Sequence, residues 1–200
     1  MELAVFRLSA AGYPALEAVR AFLGSDAGNG RYAPFAQRLR GVSAELVAWG
    51  PAADKLFAEG GSLAVPVGRV EMSALLCEAR EQQGDLLWMR HVTPAVFRRY
   101  GRYVAVPVEG LYLARPAAVW RALTGEELRP VVEVVEASVR EVPWRLGKDG
   151  IVVPGFVGRV LLRVADPTHR AVALLARWTG VGAKTAWGMG EVAVECAGKI

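Results

Sequence analysis

The chain has 200 residues, a hydrophobic content of 53% and a formal net charge of +4. This length suffices for one ordinary domain or two small ones, and no segment approaches the ~18 uninterrupted apolar residues of a membrane helix. The N-terminus MELAVFRLSA lacks the charged start and apolar core of a signal peptide. We therefore expect a cytoplasmic protein with no membrane partner.

The cations are mostly arginine, since only four of the 24 Lys and Arg residues are lysine. Arginine offers a planar fork to phosphates and a flat face to bases, although a GC-rich genome produces the same bias. The two cysteines, Cys77 and Cys196, have no His or Cys neighbours at metal-ligand spacing, which predicts reduced, buried thiols. Because C-x-x-C and H-E-x-x-H are also missing from the sequence, we expect no metal and no cofactor.

The first half alternates short apolar runs with helical segments. Proline opens two of the expected helices, and glycines close them. The expected elements in chain order are a strand at 3–8, a helix from Gly12 to Gly24, a loop at 25–34, one or two strands within 35–49, a helix at 51–59, a strand pair or bent strand at 63–72, a helix from Ser73 to about 83 and a strand at 85–92.

The second half repeats this alternation. The expected elements are a helix at 117–123, a helix from Glu126 with Val131, Val134 and Val135 on one face, a hairpin of 139–146 with a strand from Ile151, a helix capped by Asp166 or Thr168, a glycine-rich loop at 180–190 and a last strand. Strands and helices alternating twice over predict an α+β fold of two tandem ferredoxin-like (RRM-like) βαββαβ domains.

The glycine-rich loop has four glycines in eleven residues. Glycine has no Cβ to keep a ligand away from backbone amides, and a lysine and a threonine hydroxyl suit a phosphate. The spacing is not that of a P-loop, so we do not expect an NTPase. Trp187 either stacks on a base or fills the core. The predicted phosphate cradle consists of Lys184, Thr185 and the amides around Gly180, Gly182, Gly188 and Gly190.

Two blocks of sequence resemble a known family. GFVGRV, an intervening helix and TGVGAKTAWGMGEV form the first, and RHVTPAVFR lies upstream. Together they resemble the CRISPR-associated endoribonucleases of the RAMP superfamily, which process precursor crRNA, over roughly residues 86–195. The resemblance implies tandem ferredoxin-like domains, which we place at 1–88 and 89–200.

The resemblance also implies an activity. Such a protein would bind CRISPR repeat RNA and cut precursor crRNA without a metal, by 2′-OH attack that leaves a 2′,3′-cyclic phosphate and a 5′-OH. The family often uses a histidine on or just after the first helix, where this chain has Gly24 or Ser25, and residues 1–90 contain no histidine. The predicted catalytic residues in that region are Tyr13, Tyr32 and Arg38.

Arginines cluster in the upstream block. Arg98, Arg99 and Arg102, together with Arg159 and its neighbours Arg90 and Arg163, are predicted to form a basic groove for RNA, the alternative being a solvated turn. The resemblance allows two further partners, other subunits of a CRISPR effector complex and a second copy of the chain. Two alternatives to a nuclease stay open: an RNA-binding protein with little or no cleavage, and a structural subunit.

Overall fold

Two four-stranded antiparallel sheets, one from each half of the chain, frame the protein in the computed structural model. The structure describes residues 2–8, 18–19, 21–23, 35–40, 43–61, 63–146 and 150–197.

The first sheet has the strand order β2-β3-β1-β4. Its first strand is central and pairs with the third and fourth, which is the order of a ferredoxin-like βαββαβ unit. Residues 18–19 and 21–23 are helical and precede the second strand. The elements are β1 (Glu2–Leu8), β2 (Phe35–Arg40), β3 (Ser43–Ala48), α1 (Pro51–Glu59) and β4 (Ala64–Glu71).

The second sheet has the equivalent order β10-β5-β9-β8, and a two-stranded hairpin is inserted after its first strand. A connecting helix, α2 (Met72–Glu81), leads into it. The elements that follow are β5 (Leu86–His91), β6 (Phe97–Arg99), β7 (Arg102–Val104), α3 (Glu109–Tyr112), α4 (Ala114–Thr124), β8 (Glu133–Leu146), β9 (Ile151–Arg163), α5 (Pro167–Thr179) and β10 (Val192–Cys196).

The matching strand orders confirm the predicted α+β fold of two ferredoxin-like units. The division between residues 88 and 89 stays a prediction. Strand β5, which belongs to the second sheet, spans Leu86–His91.

One continuous apolar core joins the two halves. Leu3 of β1 and Trp49, which follows β3, belong to the same buried cluster as Leu174 of α5. Helix α5 is buried from Arg170 to Ala176 because it packs against both α2 and α4. Truncating Leu174 to alanine should therefore destabilise the fold by about 2–5 kcal/mol.

Asp166 caps the start of helix α5, so the structure selects it over Thr168. Its Oδ1 accepts hydrogen bonds from the amides of Thr168 at 2.8 Å and His169 at 3.0 Å. These bonds, the His169 one foremost, lower the pKa of the Asp166 carboxyl. The helix ends at Gly180, where the chain enters the glycine-rich loop.

Two expectations about helices are wrong. The segment with Val131, Val134 and Val135 forms no helix; β8 starts at Glu133 and pairs with β9 up to Leu146. Its β-branched residues are stiff at χ1, which favours a strand over a helix despite the apolar spacing. Helix α2 begins at Met72 without a side-chain cap, so Ser73, where we expected the helix to start, lies inside it and does not cap it.

Three further segments refine the expectations. Residues 63–72 hold one strand, β4, whose register shifts opposite Val5 and Phe6. Residues 97–104, expected as a turn, form the β6–β7 hairpin. Among the described residues, none of the helices combines the length and hydrophobicity that a bilayer crossing requires.

Candidate functional site

The glycine-rich loop at 180–190 is fastened to the segment that precedes β6. The amide of Ala183 donates to the carbonyl of Val96 at 2.8 Å, and the amide of Gly190 donates to the carbonyl of Pro94 at 2.8 Å. The loop and the upstream block, far apart in sequence, therefore form one structural unit.

The loop needs glycine because its backbone packs against other backbone. Gly182 and Gly190 have φ values of 75° and 74°, which disfavour side chains. A Cβ on Gly182 would collide with the carbonyl oxygen of Val96, and one on Gly190 with that of Val181. These glycines are explained by close packing inside the protein.

Several amides of the expected phosphate cradle are already used within the fold. The amide of Gly180 donates to Ala176 at 2.9 Å and that of Gly188 to Thr185 at 3.1 Å, in addition to Gly190 and Pro94. A contribution of these three glycines to RNA binding stays a prediction, without support from their amides.

Lys184 is the cation that this loop presents. It lies in the left-handed region with φ 65°, and its carbonyl accepts from the amides of Trp187 at 2.8 Å and Met189 at 3.3 Å. The side chain is half-buried, and its ammonium makes no ion pair or hydrogen bond with the described residues. Thr185 is buried at 4% exposure, and its contribution to RNA binding stays a prediction.

The loop contacts both halves of the protein. Ala186 belongs to the apolar cluster of the first half, together with Phe6 and Leu46. Trp187 packs partly against that cluster and partly against a second cluster that contains Val96. Trp187 thus takes part in packing, its contribution to RNA binding stays a prediction, and the loop that carries Lys184 lies where the halves meet.

Arg38, one of the predicted catalytic residues, lies in a buried ionic cluster. Its guanidinium is 3.5 Å from Glu45 and 3.8 Å from Glu191, and lies over the Trp178 ring at 4.5 Å. Since Glu191 and Trp178 belong to the second half, Arg38 ties β2 to that half. Its catalytic role stays a prediction. Tyr13 and Tyr32 lie outside the described residues.

Arg115 makes a second tie that sequence reasoning missed. It is 4% exposed, donates to the carbonyl of Phe35 at 3.1 Å and lies over the Trp49 ring at 5.1 Å. Both contacts hold β2, the strand that follows the predicted catalytic residues Tyr13 and Tyr32 in the chain and contains Arg38. An arginine amid apolar residues on a helix gave no sequence signal for this role.

The β6–β7 hairpin carries three of the predicted RNA-binding residues. Arg98, Arg99 and Arg102 are exposed, and none of them has an ion-pair partner in the described part of the chain. Tyr100, at the tip between them, is 90% exposed.

The predicted groove also includes arginines on the exposed face of the second sheet. Arg159 and Arg90 both approach Glu195 at 3.9 Å, and Arg159 lies over the Trp88 ring at 4.6 Å. Arg163 pairs with two further carboxylates, those of Asp85 at 3.5 Å and Glu133 at 2.6 Å. These acids largely balance the positive charge of this face.

Neither of the two histidines lies in the glycine-rich loop. His91 is buried, with Nε2 2.5 Å from the Tyr112 hydroxyl and its ring 4.7 Å from that of Phe156. Burial lowers the pKa of His91 to about 4 and raises that of Tyr112. His169 is half-buried, and its Nδ1 accepts from the Val131 amide at 3.4 Å.

The cysteines differ from expectation in exposure. Cys77 and Cys196 are free thiols, but both are exposed, so the expectation of buried thiols is wrong. Helix α2 turns Cys77 outward, and Cys196 is the last residue of β10. Within the described ranges, no group of three or more His, Cys, Asp or Glu side chains has a metal-binding arrangement.

Comparison with known families decides the identity. The family model of CRISPR-associated endoribonuclease Cas6 matches residues 89–192, which contain the loop, the hairpin and strands β8 and β9 of the second sheet. The chain belongs to the Cas6 family. This membership confirms the resemblance and connects the chain with the processing of precursor crRNA and with RNA binding. No curated protein matches the sequence.

Solved Cas6 structures share the whole fold. A Cas6 product complex has a TM-score of 0.72 at 21% identity and covers 98% of this chain and 100% of its own. A Cas6 substrate mimic complex gives 0.70 at 20% identity, with coverage of 98% and 100%. Thermus thermophilus Cas6 gives 0.65 at 21%, with coverage of 97% and 98%. The tandem arrangement therefore extends over the full length of these proteins.

Proposed function

We propose that the chain binds CRISPR repeat RNA and cuts precursor crRNA without a metal. The ribose 2′-oxygen attacks the adjacent phosphorus as the bond from phosphorus to the 5′-oxygen breaks, which leaves a 2′,3′-cyclic phosphate and a 5′-OH. Membership of the Cas6 family supports the substrate class. The observation that supports the proposal most directly is the position of Lys184. This cation lies on the loop where both halves meet and has no ion-pair partner among the described residues.

This reaction makes three demands on the protein. The 2′-oxygen must be in line with the scissile phosphate, a proton must leave the 2′-OH and another must reach the 5′-oxygen. Cations must offset the charge that develops on the phosphate, which suits Lys184. Tyr13 and Tyr32 are our candidates for orienting the 2′-OH, and Arg38 is the candidate for balancing charge.

RNA binding without cleavage is the second candidate function. The absence of a histidine from residues 1–90 favours it, because His is the side chain most often used for proton transfer near neutral pH. A structural subunit of an effector complex is a third candidate, in which protein contacts replace RNA contacts. A second copy of the chain is a further proposed partner, and the molecular mass of the protein in solution would test it.

One incubation separates these candidates. Purified protein is mixed in EDTA with end-labelled repeat RNA from its own host, and cleavage and gel shift are read on the same samples. We expect one cut whose 3′ end resists phosphatase until acid opens the cyclic phosphate. A 2′-deoxy substitution at the cut position should abolish cleavage and preserve binding. Binding without a cut would support the protein that binds RNA without cleaving it. The absence of both binding and cleavage would support the structural subunit.

Lys184→Ala tests whether this cation binds RNA. The substitution should weaken RNA binding across sequences and lower the slope of log affinity against log salt by about 0.7 to 0.9, the value for one phosphate contact. Arg129→Ala is the matched control, since Arg129 is exposed and lies 3.8 Å from the exposed carboxylate of Glu127. Equal effects of the two substitutions would contradict a specific role of the loop.

A further inference from the structure

The tip of the β6–β7 hairpin has a sequence unlike an ordinary tight turn. Arg99 pairs with Arg102 across the hairpin, which leaves Tyr100 and Gly101 as a two-residue turn. Both have positive φ, 49° and 78°. Turns of this kind favour Asn-Gly or Gly-Gly, since residues with a bulky Cβ substituent are strained there.

Core packing does not explain the strained tyrosine. The Tyr100 side chain is 90% exposed. A residue in a sparsely populated backbone conformation that contributes nothing to the core points to a role outside it. We therefore expect the exposed Tyr100 ring to contact a ligand outside the protein, which an asparagine at this position could not bind in the same way.

The surroundings of Tyr100 indicate what that ligand is. The Arg99 guanidinium lies 5.3 Å from the centre of the Tyr100 ring, within cation–π range. Arg98, Arg99 and Arg102 have no ion-pair partner among the residues that the structure describes. Tyr103, opposite Arg98, is 38% exposed. Exposed aromatic rings among unpaired arginines are suited to stacking on bases that are not themselves paired, with the cations beside the phosphates.

The hairpin is attached to the loop that carries Lys184. Val96, just before β6, accepts from the Ala183 amide, and the Phe97 ring lies 3.5 Å from the Cβ position of Gly182. At a rise of ~3.3 Å per residue, β6 spans about 10 Å from this contact to the tip. A strand of RNA whose phosphate lies at Lys184 can thus continue along the hairpin.

We propose that Tyr100, flanked by Arg99 and Arg102, is a base-stacking subsite for an unpaired nucleotide of the bound RNA. The inference rests on the proposed function, of which it specifies the substrate: an unpaired segment of the bound RNA crosses this tip. Single-stranded RNA is the ligand because stacking on an exposed ring requires a free base face, which a continuous duplex does not offer.

Tyr100→Asn gives a sharp test because it separates folding from binding. Asparagine tolerates positive φ, so the variant should keep its Tm or raise it. The probe is a single-stranded RNA of about ten nucleotides with one 2-aminopurine, compared with the same strand annealed to its complement. We expect about fivefold or greater loss of single-strand affinity and loss of the 2-aminopurine quenching, with duplex affinity changed less than about twofold. Tyr100→Trp should retain both signals.

The outcomes distinguish this inference from the proposed function. Repeat RNA cleavage is measured on the same samples. Quenching that depends on Tyr100 without any cleavage would support the subsite and remove the nuclease. Cleavage with unchanged single-strand binding in Tyr100→Asn would overturn the subsite alone. An equal loss for single strand and duplex would also overturn it, because that result would indicate phosphate contact only. A wild-type protein that binds neither probe and does not cut repeat RNA would overturn both proposals.

Discussion

The arginines of the β6–β7 hairpin and those of the second sheet's exposed face carry the same charge in different surroundings. Arg98, Arg99 and Arg102 have no ion-pair partner within the described residues. The sheet-face set, Arg90, Arg159 and Arg163, lies next to Glu195, Asp85 and Glu133. A count of cations therefore overestimates the surface available to RNA, because strand pairing decides which arginines are neutralised.

The comparison is tested most strongly by two triple substitutions that remove equal charge. Changing Arg98, Arg99 and Arg102 together to alanine should weaken RNA binding by about 100-fold and reduce the salt slope by about 2. Changing Arg90, Arg159 and Arg163 together should weaken binding less than about threefold, because these side chains already have carboxylate neighbours. Filter binding at several salt concentrations measures both. Similar losses for the two variants would contradict the division.

Gly182→Ala breaks the link between the hairpin and the loop without changing any charge. Its φ of 75° and the carbonyl of Val96 oppose a Cβ, so we expect a loss of about 2–3 kcal/mol in the free energy of unfolding. The matched control is Gly125→Ala, which has a φ of 76° but no atom within 4 Å of its Cβ position. Denaturant titration that ranked the control as the more damaging would refute the packing explanation.

Acid should weaken strand β5, which supports both the hairpin and the exposed face of the second sheet. Strand β5 carries Arg90 on its exposed face, leads toward the hairpin and buries His91. With the pKa of His91 lowered from 6.5 to about 4, the unfolded state binds a proton below pH 6.5 that the folded state refuses. This residue should therefore lower stability by about 2 kcal/mol between pH 6.5 and pH 5.

The control for this pH effect is His91→Gln, which has no ring to protonate. Its free energy of unfolding should depend less on pH across the window from about 6.5 to about 4. Urea titrations at several pH values measure the difference. Parallel curves for the two proteins would show that His91 titrates alike in the folded and unfolded states.

Glu195→Gln is the smallest and most discriminating change. It removes the carboxylate that Arg90 and Arg159 share, which makes the sheet face more like the hairpin. We expect RNA affinity to rise by about twofold, since exposed ion pairs are worth roughly 0–1 kcal/mol. Glu127→Gln, beside exposed Arg129, is the control. A fall in affinity would mean that Glu195 orients its arginines for RNA.

Local patterns predicted the fold well, and pairing between distant segments set the limit. Turn residues and apolar runs predicted both ferredoxin-like units, and Asp166 was among the expected caps. The helix expected from Glu126 was wrong because apolar spacing alone cannot show that β9 offers β8 a partner along its length.

The site was predictable only in part for the same reason. The sequence indicated Lys184 and the hairpin arginines, since motif and charge are visible along the chain. It could not show that the loop's amides bond inward, or that Arg38 meets Glu191 across the two halves. Tyr100 stands out only once its φ and exposure are known.

The two ties on β2 bear on how the protein comes apart. Arg38 and Arg115 hold an edge strand of the first sheet to the second half. Because breaking one partner of a buried charge pair costs about 3–5 kcal/mol, neither half gains by melting first. We therefore expect the two architectural copies to unfold in one cooperative transition, since separating them would leave the edge strand β2 without these contacts.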